Sequence, residues 1–146
     1  MRLKNHTDIS DEKIRSIIKA VRPSGISKFD VRISNYSGRR GRGRAYWAGS
    51  GYHQSADPFI VVSIAKTDIL ARDRGEWRKG GYLKYAVGSR MEVLIAILAH
   101  ELRHLWQAKV KTGWRVWGAR GQFSERDADA YAIKMLRQYR RGELLT

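Results

Sequence analysis

The sequence has no cysteine, only two prolines, and fewer than half as many acidic as basic residues. The absence of cysteine excludes a disulfide framework and any thiolate metal ligand. No apolar run is long enough to cross a bilayer, and residues 1–13 lack the apolar segment of a signal peptide. We therefore expect a protein without a membrane span that is located in the cytoplasm.

The charge that is present is strongly positive. The chain carries 29 Lys and Arg against 14 Asp and Glu, a formal net charge of +15. Such a field favours polyanionic partners: nucleic acid, an anionic membrane surface or an acidic protein. The 146 residues are the length of one ordinary domain, and no repeat divides them, so we expect a single domain over residues 1–146.

One stretch, Met91–Val110, combines an apolar run with polar residues at helical spacing. His100 and His104 are four residues apart, so on a helix both imidazoles point to the same place. Glu101 lies beside them, where its carboxylate can reach a water molecule bound to a shared metal ion. This His-Glu-x-x-His pattern is typical of zinc metallopeptidases, in which the glutamate is the general base. The alternative for so short a motif is a core helix whose histidines are solvated or merely hydrogen-bonded.

A zinc site of this kind needs a third protein ligand, and the sequence limits what it can be. A metzincin would have glycine at position 107 and histidine at position 110, where this chain has Gln107 and Val110. No histidine follows His104, so the third histidine of SprT-like proteases is missing. The cysteine ligand of peptide deformylases is missing as well. A carboxylate from a later helix remains.

The segment that follows offers such a carboxylate. On a helix Glu125 and Asp129 share one face, so Glu125 is placed to bind the metal while Asp129 hydrogen-bonds a ligand histidine. Ala128 and Ala132 are small enough for close packing on the metal helix. The alternative is an ordinary acidic first turn that complements the helix dipole.

Together the two motifs resemble those of gluzincins, the zinc peptidases that use two histidines and a glutamate. The glutamate segment (Glu, two residues, Ala, Asp, one residue, Tyr, Ala) is similar to that of HtpX-like peptidases and of the small ImmA/IrrE-like proteases. The likeness covers the two motifs and the chain between them. It implies a zincin-like α+β domain, Zn²⁺ at His100, His104 and Glu125, Glu101 as the general base and Asp129 as support. It also implies hydrolysis of a protein or peptide substrate.

Hydrophobic periodicity predicts the other elements of this α+β fold: an N-terminal helix, a short mixed or antiparallel sheet, and a C-terminal helix that carries the glutamate. The predicted segments are helices over Thr7–Val21 and Ser124–Arg141, strands over Phe29–Ser34 and Phe59–Ala65, and edge-strand candidates at Tyr46–Ala48 and Tyr82–Val87. An extended substrate would pair with one of the two edge candidates. Ser89 is the expected N-cap of the metal helix, with Glu92 completing a capping box.

Amide hydrolysis also needs a hydrogen-bond donor for the tetrahedral oxyanion. Three residues are candidates that the sequence does not rank: His53, Tyr131 and Arg103.

A Gly/Arg-rich tract at about residues 37–45 is expected to form a mobile loop or an irregular hairpin tip. It has four arginines that could bind phosphates: Arg39, Arg40, Arg42 and Arg44. Tyr46 and Trp47 follow and could stack on bases. The alternative is a solvated basic loop without a specific partner. This tract, together with a stripe of Lys134, Arg137 and Arg141 on the last predicted helix, supports a competing hypothesis for the whole chain. The hypothesis is a basic nucleic-acid-binding module whose HExxH helix is structural or vestigial.

Overall fold

The computed structural model describes residues 1–47, 58–73, 77–79, 83–110 and 122–144. These residues form a mixed α+β fold, which confirms the predicted class. In chain order the elements are β1 (Leu3–Asn5), α1 (Asp11–Val21), β2 (Asp30–Tyr36), β3 (Gly41–Tyr46), β4 (Phe59–Ala65), α2 (Asp68–Ala71), β5 (Trp77–Lys79), β6 (Leu83–Tyr85), α3 (Arg90–Val110) and α4 (Gln122–Arg140).

A four-stranded mixed sheet has the strand order β1-β2-β4-β3. Strands β1, β2 and β4 run parallel to one another, and β3 lies at one edge of the sheet, antiparallel to β4. The alternating residues of β2 and β4 are buried on one face of this sheet, which we call the inner face: Val31, Ile33, Ile60, Val62 and Ile64. The short β5–β6 hairpin forms a separate two-stranded sheet.

The helices build the core on the inner face. Helix α3 packs on β3 and β4, α1 packs on α3 and β1, and α4 packs along α3. Every side chain from Val93 to Leu102 is buried, as expected for a helix that is covered by a sheet and by other helices. Of the helices that the structure describes, none is long and apolar enough to cross a membrane.

The ends of the helices follow from their caps. Helix α1 begins at Asp11, later than predicted, because the Ser10 side chain caps it by accepting a hydrogen bond from the Lys13 amide. The predicted cap of α3 is confirmed: Ser89 Oγ accepts from the Glu92 amide at 3.2 Å. The Glu92 carboxylate, however, accepts from the Gly88 amide and so closes the cap one residue earlier than a standard capping box.

One predicted helix needs correction at its ends, and one strand was missed. Helix α4 begins at Gln122, two residues before the predicted start at Ser124, and ends at Arg140. Strand β1 was not predicted, since three residues are too few to display an alternating pattern.

The prediction of a mobile loop or irregular hairpin tip at about residues 37–45 is wrong from Gly41 onwards, because strand β3 begins there. The glycines that suggested flexibility lie on the inner face of the sheet. A Cβ atom on Gly41 would lie 2.3 Å from the Ser63 carbonyl oxygen, and one on Gly43 would lie 2.4 Å from Cγ2 of Ile97. These glycines therefore allow α3 to lie close against the edge strand, and Arg42 and Arg44 are strand residues that point to the other face.

Candidate metal centre

Three side chains from α3 and α4 meet where the two helices pack together. Nε2 of His100 lies 3.1 Å from one carboxylate oxygen of Glu125, and Nε2 of His104 lies 3.1 Å from the other. The two imidazole Nε2 atoms are 3.1 Å apart. With one ligand atom taken from each residue, all three atoms lie within 4.8 Å of one another, a group that could hold a metal ion.

Helix packing brings these groups together. Ala128 and Ala132, three and seven residues after Glu125 and so on the same face of α4, are completely buried. Their small side chains allow α4 to approach α3 closely. His100 is itself buried, with 1% of its surface exposed.

The groups next to Nδ1 of His100 and of His104 indicate which ring nitrogen carries the proton. Oδ1 of the buried Asp129 lies 3.0 Å from Nδ1 of His100, although the two atoms are not well aligned for a hydrogen bond. The other carboxylate oxygen of Asp129 accepts a hydrogen bond from the Leu83 amide of β6, which fixes the orientation of this carboxylate. A carboxylate oxygen at this distance favours the proton on Nδ1 and leaves the Nε2 lone pair facing the cluster.

Gln107 imposes the same tautomer on His104. The amide nitrogen of Gln107 donates to the Ser124 carbonyl at 2.8 Å and to Asp127 at 3.0 Å, and both partners are acceptors only. The amide oxygen must therefore be the atom that faces His104 Nδ1, 2.9 Å away. Since that oxygen can only accept, Nδ1 carries the proton, and in the neutral imidazole Nε2 presents a lone pair to Glu125.

Two imidazole lone pairs and a carboxylate that face one another at 3.1 Å repel unless a cation or a proton lies between them. The ligand atoms of a tetrahedral zinc site with bonds of about 2.0–2.1 Å lie roughly 3.3 Å apart, close to the spacing seen here. The donor set of two imidazoles and one carboxylate is also one that catalytic zinc sites use. The three residues therefore fit a zinc ion.

The electrostatics of the cluster favour positive charge. Burial alone would lower the pKa of His104, but the hydrogen bond to Glu125 and the charges of Glu101 and Glu125 outweigh burial and raise it to about 9. Burial likewise opposes ionisation of Glu125, whereas hydrogen bonds from His100 and His104, which form when a second proton makes these imidazoles cationic, hold the pKa of its carboxyl well below the usual range. A divalent cation would satisfy the same preference.

The proposed base lies beside this cluster. Glu101 is 4% exposed, and its carboxylate lies 3.9 Å from Nε2 of His100. Strand β3 covers it, since a Cβ on Gly43 would be 3.0 Å from Cγ of Glu101. The nearby Tyr85 is buried, and burial together with the charges of Asp129 and Glu101 raises the pKa of its hydroxyl, which keeps it protonated.

Two of the three oxyanion candidates lie among the described residues, and both have hydrogen-bonding partners. Arg103 binds Asp127 through two hydrogen bonds of 2.7 and 3.1 Å, and its guanidinium lies over the Trp106 ring. The Tyr131 hydroxyl donates to the Val21 carbonyl at the end of α1. These contacts hold both side chains in place, and a role for either as oxyanion donor stays a prediction; His53 lies outside the described residues.

The four arginines of the Gly/Arg tract separate into two pairs. Arg39 donates to the Arg72 carbonyl, and Arg40 forms an ion pair with Asp73, whose side chain is only 1% exposed. Arg42 and Arg44 are exposed on β3. Arg39 and Arg40 thus precede β3, and Arg39 is exposed like Arg42 and Arg44, which are outward residues of that strand.

The sequence analysis did not single out Gln107 as part of the candidate site, although its spacing from His104 could have revealed it. Gln107 lies three residues after His104, on the same face of the helix, and it is 3% exposed. A buried amide at that spacing needs hydrogen-bonding partners, and a ligand histidine needs an acceptor for its outer nitrogen.

Comparison with models of protein families, with curated proteins and with solved structures finds no match to this chain. The interpretation of the site therefore depends on its own residues and geometry.

Proposed function

We propose that this protein is a gluzincin-like zinc metallopeptidase that hydrolyses peptide bonds of a protein substrate. The observation that carries the proposal is the convergence of His100, His104 and Glu125 with ligand atoms 3.1 Å apart and the Glu101 carboxylate beside them. A core helix with merely hydrogen-bonded histidines would not need a second helix to bring a carboxylate to the same point. Nor would it need an acceptor behind each imidazole.

The chain's own residues have separate parts in this reaction. A bound zinc ion would polarise the scissile carbonyl and bring the pKa of water towards neutrality. Glu101 accepts the proton of the attacking water and passes it to the leaving amine nitrogen. Asp129 and Gln107 keep both Nε2 lone pairs directed at the cluster, so that the ligands are organised before the substrate arrives.

Strand β3 supports binding of an extended substrate. Among the described strands β3 pairs with β4 and is an edge strand of the sheet, the position to which an extended peptide adds by backbone hydrogen bonds. This edge strand ends at Tyr46 and passes directly over Glu101 at Gly43. A peptide that pairs with β3 would therefore bring its backbone next to the proposed base.

The test combines metal content with peptide hydrolysis. The zinc-reconstituted full chain is expected to cleave a mixture of quenched fluorescent peptides. Glu101→Gln should retain about one zinc per chain and reduce hydrolysis by about 10²–10⁴-fold, since a carboxamide cannot accept the proton. Glu143→Gln removes an exposed carboxylate far along the sequence from the site and serves as the matched control, with both properties unchanged.

Two results would overturn the proposal. Hydrolysis that persists in Glu101→Gln would exclude Glu101 as the base. A wild-type protein that keeps no zinc after reconstitution would leave the HExxH helix structural and favour the nucleic-acid-binding alternative.

A further inference from the structure

The outer face of the four-stranded sheet, opposite α3, carries four exposed cations on three strands. Strand register places Lys4 of β1, Arg32 of β2, Val61 of β4 and Arg44 of β3 side by side across the whole sheet. With strands about 4.8 Å apart this row spans about 14 Å. Arg42, two residues from Arg44 on the same face of β3, extends the basic area along the edge strand.

Acidic side chains are scarce on this face. Register places Asp30 there, and among the strands that the structure describes it is the one acidic residue in an outward position. Its carboxylate accepts a hydrogen bond from the Arg2 backbone amide. The outward positions of the described strands therefore carry more positive than negative charge, and the fields of these cations add in a direction that favours a polyanion.

Aromatic rings accompany the cations. The Arg42 guanidinium lies 4.7 Å from the centre of the Tyr36 ring and donates to the Tyr36 hydroxyl at 2.6 Å. At the other end of β3, Tyr46 and Phe59 are stacked with ring centres 4.5 Å apart. Nucleic-acid bases stack on aromatic rings and on guanidinium planes, whereas an acidic peptide gains little from such surfaces.

We propose that this outer sheet face binds single-stranded nucleic acid, with Lys4, Arg32, Arg42 and Arg44 contacting phosphates and the Tyr36–Arg42 pair supporting a base. The proposal extends the earlier arginine hypothesis to two new residues, Lys4 and Arg32. It no longer includes Arg39 and Arg40, because both precede β3 and so have no outward position on the sheet. It does not depend on the peptidase proposal, because the surface lies on the opposite side of the sheet from the metal cluster.

A second basic surface provides a stringent control. Lys134 and Arg137 of α4, with Arg141 just after it, are exposed and line a groove of about 450 Å³ against Leu83. These three residues match Lys4, Arg32 and Arg42 in residue type, so the two triple alanine variants lose the same charge. A protein that binds only through its net charge would respond equally to both.

The experiment measures binding of a fluorescein-labelled single-stranded DNA of about 12 nucleotides between about 50 and 200 mM salt. The Lys4/Arg32/Arg42→Ala variant should bind at least tenfold more weakly. Its slope of log affinity against log salt should be smaller by about 2, because each lost phosphate contact removes about 0.7. The Lys134/Arg137/Arg141→Ala variant should keep most of the slope, and both variants should keep the zinc content of the wild type.

Two further variants separate the loss of charge from misfolding and from the loss of a stacking surface. Lys4→Arg, Arg32→Lys and Arg42→Lys combined keep every charge and should restore the salt slope. Tyr36→Leu should weaken binding with little change in slope, because it removes a stacking surface and no charge. Equal loss of affinity in the two triple variants would overturn the proposal, and so would equally tight binding of polyglutamate or of a DNA duplex of the same length.

Discussion

The two faces of the four-stranded sheet hold charge in different ways. On the inner side the charged and polar groups near α3 are buried or half-buried and have specific neighbours: His100 with Asp129, His104 with Gln107, and Arg103 with Asp127. On the outer side Lys4 and Arg32 are exposed at strand spacing, and their effect is a summed field.

This difference predicts how each side responds to mutation. In a buried network, removal of one partner leaves another polar group without its hydrogen bond, so single substitutions are costly. On an exposed surface each charge contributes independently, and several must be removed before the effect is large.

The largest effect is expected for Glu125→Ala. This substitution removes one of three proposed ligands and should weaken zinc binding by more than about 100-fold, beyond the usual cost of losing an outer hydrogen bond to a ligand. Zinc at about 100 times its Kd should stabilise the wild-type fold by about 2.7 kcal/mol, or roughly 5–10 °C in Tm. Thermal unfolding with and without zinc measures both quantities, and an equal zinc-induced shift in the mutant would exclude Glu125 as a ligand.

A smaller effect is expected at Gln107. Gln107→Leu keeps the volume but removes the acceptor behind His104, so zinc affinity should fall by about 10–100-fold. Gln107→Glu keeps an acceptor for His104 while losing the donor to Ser124 and adding charge beside Asp127. We expect the glutamate variant to bind zinc better than the leucine variant but to be less stable than the wild type.

Competition with a chelator measures the zinc affinity of the Gln107 variants, and thermal unfolding measures their stability. Leucine and wild type with the same zinc affinity would show that the amide fixes only the helix packing.

Gly43→Ala tests whether β3 must lie close to the proposed base. The added methyl group would meet Ile97 at 2.4 Å and Glu101 at 3.0 Å, so we expect a loss of about 1–3 kcal/mol in stability and lower kcat at unchanged zinc content. Gly88→Ala is the matched control, because its Cβ would meet only Glu92, at an ordinary 3.9 Å. Equal effects of the two substitutions would show that the cost is one of backbone freedom and not of close packing.

The sequence allowed prediction of what depends on local spacing. The α+β class, the helix that carries both histidines and the apolar strand at Phe59–Ala65 follow from periodicity, and these were confirmed. The convergence of Glu125 with the two histidines was expected from its position after the HExxH motif, and the structure brings the three together.

What local spacing could not predict depends on contacts between distant segments. Gly41 and Gly43 look like loop residues until α3 is seen to press against them. The Gly/Arg tract was therefore interpreted as a mobile loop or an irregular hairpin tip, and the positions of Arg42 and Arg44 on an edge strand were not foreseen. The partner of Arg40 lies 33 residues away, at Asp73, where no local pattern points to it.

Arg40 and Arg42 provide the finest test of the comparison, because the chain places them two residues apart in opposite roles. Arg40→Ala leaves the buried Asp73 carboxylate without its cation and should cost about 1–3 kcal/mol, less than a fully buried pair because the Arg40 side chain is 41% exposed. Arg42→Ala should change stability by no more than about 0.5 kcal/mol and instead weaken single-stranded DNA binding. Chemical denaturation and DNA titration of both variants measure the two effects. If Arg42→Ala proved as destabilising as Arg40→Ala, the outer cations would belong to the folding of the sheet, and a surface of independently acting charges would no longer describe this face.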